Sequence, residues 1–503
     1  MDSKRILVLC HRSARDGGLF EFNRRITIAL AELGHRVTLL TAPPVADHPG
    51  VRIVEVPVAP ADAGDPMAVA REIRRLAAGA GLDRMGLAPE GAGFDIVIGH
   101  TQLTGRAAAD LRDRFYPRAR AVAFSHAAME RLPEVIGRPE FIAPTRRAEV
   151  DTWKRVDLAV GVGPLLTEEL RHTVDQELRG YAVNTHELIP GADTAAGAGP
   201  PRPAPPGAPL RVLLLGGLAS PLKGADTAMR AVVAARRMGH DVRLVMRGYA
   251  EDEVEGRRRA ANAIAGRPGI LDVRPLTTDD RVIDADIRGC DLLILPSWNE
   301  GFGLVAAEAA MMGRPVLATS ESGFAWFLRD PRRGRAAEFG ASVVDDAGFF
   351  ASASPRWHAE AGAGPDPWSW SGAVHGRQDI WARALIDAAR TRAERRRTAE
   401  GLARYLAGFT YAHGARALVE AVGALPPRMP GTRAAAGRHT MQGEHGDLWR
   451  VAEPAPGERP RRERRGAAAR PGRRDRAEQA ERAKRAERVL PRWNDYPGRR
   501  ALR

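Results

Sequence analysis

Two glutamates, Glu300 and Glu308, stand eight residues apart around the run Gly301-Phe302-Gly303-Leu304. The first precedes a glycine-rich turn; the second lies in the helix pattern Gly303 to Met312. Glycines let a backbone approach a ligand closely, and the N–H groups at a helix start attract a diphosphate. Carboxylates beside that spot repel phosphate but accept hydrogen bonds from sugar or ribose hydroxyls. The pair therefore asks for a ligand with both a diphosphate and hydroxyls. A second cluster, Gly216-Gly217-Leu218 with Lys223-Gly224, supplies a loop and a cation after a strand. Lys223 is one of only four lysines in a chain with 76 Lys+Arg, so its place in that loop is informative. Arg247, in Val245-Met246-Arg247-Gly248, is a further candidate cation. Near the N-terminus, Asp16 as a helix cap before Gly17-Gly18 would leave bare N–H groups facing a cleft. His126 follows a strand and belongs at a cleft edge. His11 and His100 also end strands, where a structural role is the simpler reading.

These groups need a scaffold that ends its strands together. The run Arg5 to Cys10 reads as an apolar strand, and Leu19, Phe22, Ile26, Ala29, Leu30 and Leu33 follow at helical spacing up to Gly34. Arg36 to Thr41 is the next strand, a βαβ opening that implies a parallel sheet covered by helices. Further strands are expected at Asp95–Ile98, Ala121–Phe124, Asp157–Val162 and Glu187–Ile189. Residues 197–209 hold six prolines and read as a stiff linker. The pattern then restarts, with strands expected at Arg211–Leu215, Asp241–Met246, Leu271–Arg274, Asp291–Leu295 and Pro315–Ala318. Residues 340–372 read as irregular and Gln378 to Val422 as helical. The expected organisation is one domain at 1–196, the linker at 197–209, a second domain at 210–372, helices at 373–425 and a tail at 426–503. Doubly wound halves of this kind bind ligands at the carboxyl ends of their strands.

The segment Glu300 to Glu308 resembles the E-x7-E signature of family 4 of the retaining glycosyltransferases, which have the GT-B fold. Gly216-Gly217-Leu218 with Lys223-Gly224 is similar to that family's G-R-L…K-G loop, and Ile189-Pro190-Gly191-Ala192-Asp193 to its I-P-N-G-V-D segment. Phe94 to Ile98 and Ser125-His126 resemble its strand ends facing the acceptor. Gly313-Arg314-Pro315-Val316 and Phe409-Thr410-Tyr411 resemble its later landmarks. The likeness covers about residues 5–422. It implies an α/β chain of two Rossmann-like doubly wound domains, the first on the acceptor side and the second donor-binding, with a C-terminal helical segment and a basic disordered tail. It further implies sugar transfer from a nucleoside diphosphate donor to an unnamed acceptor hydroxyl, with retention at the anomeric carbon. Glu300, His126 and Lys223 would then be catalytic. Gly17, Gly18, Gly216, Gly217, Lys223, Arg247, Gly301, Phe302, Gly303, Leu304 and Glu308 would hold the donor. No cofactor and no metal is implied. One position departs: Gly217 stands where the family has an arginine, so a diphosphate cation is missing unless Arg247 replaces it. That departure leaves open a nucleotide-sugar-binding protein that has lost turnover.

Other readings are weaker. Gly301-x-Gly303-x-x-Ala306, with Glu321 further on, also fits a dinucleotide fingerprint and hence an oxidoreductase, but leaves Glu300 and Glu308 unexplained. Asp284-Ala285-Asp286 resembles a metal-binding D-x-D, yet falls in a helix pattern and reads as a solvated face. Two cysteines, Cys10 and Cys290, exclude a disulfide framework and a cysteine-built zinc site. No apolar run approaches the ~18 residues that span a bilayer, and a cytoplasmic chain is expected. The formal net charge is +14, but residues 428–503 carry 21 Lys+Arg against 10 Asp+Glu, leaving the rest nearly neutral. The tail's charge suits weak contact with nucleic acid or an acidic membrane surface; a solvated extension is the simpler reading.

Overall fold

The computed structural model describes residues 2–427, apart from 16, 60–64, 78–80, 88–92, 129–141, 182, 192–204, 206, 219 and 347–370. Most of the Pro-rich linker, much of the stretch expected to be irregular, and the basic tail from residue 428 lie outside the described residues.

The first sheet holds β1 (Arg5–Leu9), β2 (Arg36–Thr41), β3 (Arg52–Glu55), β4 (Ile96–His100), β5 (Arg120–Ser125), β6 (Leu158–Val162) and β7 (Asn184–Leu188). All pairs are parallel, in the order β3-β2-β1-β4-β5-β6-β7. Strands covered on both faces by helices read as continuous apolar runs, which is why RILVL and RVTLLT stand out in the sequence. The second sheet repeats the plan with β8 (Leu210–Leu215), β9 (Val242–Tyr249), β10 (Leu271–Pro275), β11 (Leu292–Leu295), β12 (Val316–Thr319) and β13 (Val343–Val344). Its order is β10-β9-β8-β11-β12-β13, again parallel. Strand order reverses between β1 and β4 and between β8 and β11. These are the switch points where α/β sheets open a binding crevice.

Two strands differ from the sequence reading. β3 has only Ile53 and Val54 between two charged ends, too short a run to register. β13 lies in the stretch expected to be irregular, where residues 331–342 form a 3-10 helix and Val343 and Val344 pair with Ala318 and Thr319.

The C-terminal helices divide their loyalty. In Ser371–Arg390, Trp381 and Leu385 pack with Val232 and Met229 of helix Ala225–Arg237. Leu402 and Leu406 of Arg392–Leu406 pack with Ala306 and Ala310 under the second sheet. The chain then crosses back. Helix Tyr411–Gly423 buries Tyr411, Ala415, Leu418 and Val419 in the core of the first domain, among Phe22, Ile26 and Leu188. At the crossing, a Cβ on Gly191 would collide with the backbone of Thr410 and Tyr411, so a glycine is required there. No helix among the described residues is long and apolar enough to cross a membrane.

This last helix is therefore part of the first domain's core. Leu418 is 1% exposed, and Leu418→Ala should cost about 2–5 kcal/mol of unfolding free energy. Urea unfolding checks it: a change below about 0.5 kcal/mol would show that the helix is not part of that core.

Candidate functional site

The loop after β11 brings the sequence-predicted groups together. Trp298 N–H donates to the carbonyl of Leu222 at 2.7 Å, seating this loop against the one that carries Lys223. Beyond it, Glu300 N–H donates to the Glu321 carbonyl at 3.3 Å, and Gly323 N–H to the Glu300 carbonyl at 3.2 Å. So held, Glu300 Oε2 accepts from Lys223 Nζ at 2.7 Å and from Ser297 Oγ at 3.2 Å. Lys223 is 32% and Glu300 16% exposed, enough to meet a ligand and enclosed enough to act on it. A diphosphate reaching Lys223 would compete with Glu300, and Glu300, once released, would accept hydroxyls.

A buried arginine holds this loop from behind. Arg377 donates from Nη1 to the Pro296 carbonyl at 2.9 Å and from Nη2 to the Ser297 carbonyl at 2.8 Å. Its Nε donates to Asp346 Oδ2 at 2.9 Å, and the guanidinium lies 4.1 Å from the ring centre of Trp298. Asp346 in turn accepts from Trp381 Nε1 at 2.9 Å and Thr319 Oγ1 at 2.7 Å. Sequence reasoning missed this network. Nothing in the sequence links Asp346 and Arg377 to a loop some 50 to 80 residues earlier.

The opposite wall of the cleft comes from the first sheet. A Cβ on Gly301 would collide with the carbonyl oxygen of His126, so the two domains touch backbone to backbone there. Asn299 Nδ2 donates to the Ala128 carbonyl at 3.4 Å, and Arg15 pairs with Asp280 across the same divide. His126 Nε2 lies 2.8 Å from His100 Nδ1, and His100 Nε2 lies 2.9 Å from Asn23 Oδ1. Burial pushes His126 down to about 3, with nearby His11 adding to the effect. Burial, with His126 and His11, holds His100 well below its ordinary value. Asn23 was also missed, though it carries a signal: it lies on the apolar stripe between Leu19 and Ile26.

The remaining predicted residues separate into groups. Gly303, at φ 98°, is the N-cap of helix Leu304–Met311, and no side chain caps it. Leu304 packs against the first domain, its Cδ1 4.0 Å from where a Gly18 Cβ would stand. Phe302 is buried against Gly163, Phe324 and Phe327, so what it offers a ligand is backbone. Gly216 runs past the stem of Lys223, while Gly217 has no atom within 4 Å of an added Cβ. Gly17, not Asp16, is the N-cap of helix Gly18–Glu32, again without a side-chain cap; Asp16 lies outside the described residues. Arg247 is 11% exposed and engaged elsewhere: its Nε pairs with Asp286 and its Nη1 donates to the Pro275 carbonyl at 3.0 Å. Asp286 is accordingly no solvated residue but a 7% exposed partner of Arg247 and Arg274, whereas Asp284 stays partly open beside Arg288. Glu308 is half-buried, within electrostatic reach of Arg25 and Glu21 on the first domain's helix Gly18–Glu32. Burial pushes it up to about 7, against the pull of Arg25. Both cysteines are buried and free, their thiols pushed up to about 12 by burial.

Two facing doubly wound domains and a last helix that returns to the first define the GT-B fold, and a cation–carboxylate pair stands at its second switch point. Residues 7–418 match the model of the family 4 glycosyltransferases in conflict systems, and the chain belongs to that family. It is 27% identical over 407 residues to a D-inositol 3-phosphate glycosyltransferase of Xylanimonas cellulosilytica, covering 73% of this chain and 92% of that protein. A UDP-forming alpha,alpha-trehalose-phosphate synthase from Burkholderia xenovorans, in complex with glucose-6-phosphate, has a similar fold. Its TM-score is 0.59 at 13% identity, over 83% of this chain and all of that one. Sucrose-phosphate synthase from Thermosynechococcus elongatus gives a TM-score of 0.52 at 19% identity, over 78% and 97% of the two chains.

The position of Glu308 makes stability depend on pH in a stated direction. Its folded value, about 7, lies above its ordinary 4.5. Its contribution is therefore full below about 4.5 and lost as pH rises through 7. Glu308→Gln removes that loss, so the variant should gain about 1–3 kcal/mol on wild type between pH 4.5 and 8. Urea unfolding of both proteins at the two pH values reads it. A difference independent of pH would contradict the burial of this carboxyl.

Proposed function

We propose that the protein transfers a sugar from a nucleoside diphosphate donor to an acceptor hydroxyl, with retention at the anomeric carbon. The observation that carries this reading is the meeting of Lys223 and Glu300, 2.7 Å apart, in the loop that leads to the uncapped helix start at Gly303. The bond between the anomeric carbon and the diphosphate oxygen breaks, and charge develops on that oxygen. Lys223 and the amides after Gly303 stabilise it, which is where preorganised electrostatics acts most strongly. The acceptor oxygen bonds to the anomeric carbon on the face the diphosphate leaves, and its proton passes to the departing phosphate oxygen. This route needs no protein nucleophile. Glu300 holds hydroxyls of the donor sugar and Glu308 those of the ribose. His126 lines the opposite wall. The names of the similar proteins agree with this chemistry: one is called UDP-forming, and another is named a D-inositol 3-phosphate glycosyltransferase.

A second reading has its own observation. Gly217 supplies no cation, and Arg247 is engaged by Asp286, so the diphosphate meets one lysine where the family uses two cations. A sensor that binds a nucleotide sugar without turning it over would look like this.

A melting-temperature panel of nucleotide sugars identifies the donor, since a ligand that binds only the folded state raises the transition. Released nucleoside diphosphate then measures turnover. Lys223→Ala should lower it roughly 10- to 150-fold, the worth of one charge-assisted contact of ~1.5–3 kcal/mol. Glu300→Gln should also lower turnover, yet bind free nucleoside diphosphate at least as tightly by calorimetry, because the carboxylate that occupies Lys223 is gone. Unchanged turnover in Lys223→Ala at saturating donor would overturn the leaving-group role. Binding without turnover in the wild type would favour the sensor.

A further inference from the structure

Three polar side chains stand in file behind the cleft wall. Asn23 comes from helix Gly18–Glu32 and His100 from the end of β4, both 0% exposed; His126, after β5, is half-buried and the outermost. Asn23 Oδ1 and His100 Nε2 are 2.9 Å apart, and His100 Nδ1 and His126 Nε2 are 2.8 Å apart. Both links have hydrogen-bond length, so each must contain one proton.

The location of those protons follows from the end of the Asn23 amide, its oxygen, that faces His100. A neutral imidazole has one N–H and one bare nitrogen. Burial keeps both rings neutral near pH 7, the titratable group bearing on them being His11, and no carboxylate among the described residues bonds to either. A carboxamide oxygen accepts and cannot donate, so the first proton is on His100 Nε2. His100 Nδ1 is then bare, and the second proton is on His126 Nε2. His126 Nδ1, which bonds to no described residue, is left as a bare acceptor.

We propose that Asn23 and His100 are positioning residues that lock His126 in its Nε2–H tautomer, so that Nδ1 accepts a hydrogen bond from a substrate hydroxyl in the cleft. The nature of that hydroxyl rests on the sugar-transfer reading; the tautomer does not. The surroundings favour a fixed arrangement. The backbone N–H of His100 donates to Thr104 Oγ1 at 2.8 Å, and that hydroxyl donates to the Leu9 carbonyl at 2.7 Å. His100 stacks on Phe124, and His126 stands edge-on to Phe22 with ring centres 5.1 Å apart. Asn23 Nδ2 is buried with no partner among the described residues, a cost that an apolar residue at this core position would avoid. A site built for packing alone would gain by losing this amide. A relay that must end in an acceptor oxygen needs it.

The test is a two-bond nitrogen–proton correlation spectrum of the full chain labelled with 15N-histidine, recorded without substrate. His126 is assigned by the signals lost in His126→Gln. The expected result is a single neutral Nε2–H pattern at pH 7 that persists to pH 5. In Asn23→Leu, checked for an intact fold by circular dichroism, the His126 pattern should become an average of both tautomers. A wild-type His126 that is Nδ1–H, averaged, or protonated near pH 6.5 would overturn the proposal, and so would a pattern unchanged in folded Asn23→Leu. Should Asn23→Leu not fold, the wild-type spectrum decides alone. Because no turnover is read, a failure of the sugar-transfer reading leaves this result standing, and the reverse.

Discussion

The guanidinium of Arg377 is the constraint on which the site depends. It is 1% exposed, and it spends its donors on Asp346 and on two carbonyls of the loop that leads to Glu300. Burying an ion pair gives little net stability against an apolar alternative, but removing one partner typically costs about 3–5 kcal/mol. Its value here is geometric. A planar fork fixes the directions of the Pro296 and Ser297 carbonyls at once, which an apolar contact could not do. The same loop donates from Trp298 to Leu222, so the setting of Lys223 relative to Glu300 descends from a residue in the C-terminal helices.

A second level of order is the way the domains meet. The carbonyl of His126 approaches Gly301 where no side chain fits, and the two chain crossings touch at Gly191 and Tyr411. Cross-domain ion pairs, Arg15 with Asp280 and Arg333 with Glu187, lie alongside. The Arg15–Asp280 pair is open to solvent and worth ~0–1 kcal/mol; Arg333–Glu187 is more enclosed, and the apolar packing of helix Tyr411–Gly423 adds to the attachment.

Most of this fold was legible in the sequence because parallel strands buried on both faces announce themselves as apolar runs. β1, β2, β8 and β11 could be read almost to the residue for that reason. β3 and β13 could not, since one is half charged and the other two residues long. At the site, the segment Glu300–Glu308 and the loop of Lys223 were legible as chemistry. Their contact was not, because it joins residues 77 positions apart. Arg247 illustrates the converse error. A cation after a strand looks available until the fold brings Asp286 to it from 39 residues away. Asn23 lay in plain view as the polar member of an apolar stripe, but only its neighbours in space give that amide a purpose.

Retention is decided at the anomeric carbon. With the donor identified, proton NMR of the sugar in the first product to accumulate reports its anomeric configuration through the coupling of H1 to H2. If the diphosphate leaves and the acceptor enters on one face, steered by Lys223 and Glu300, the product keeps the donor's configuration. An inverted product would contradict the mechanism and require a base positioned on the opposite face of the sugar.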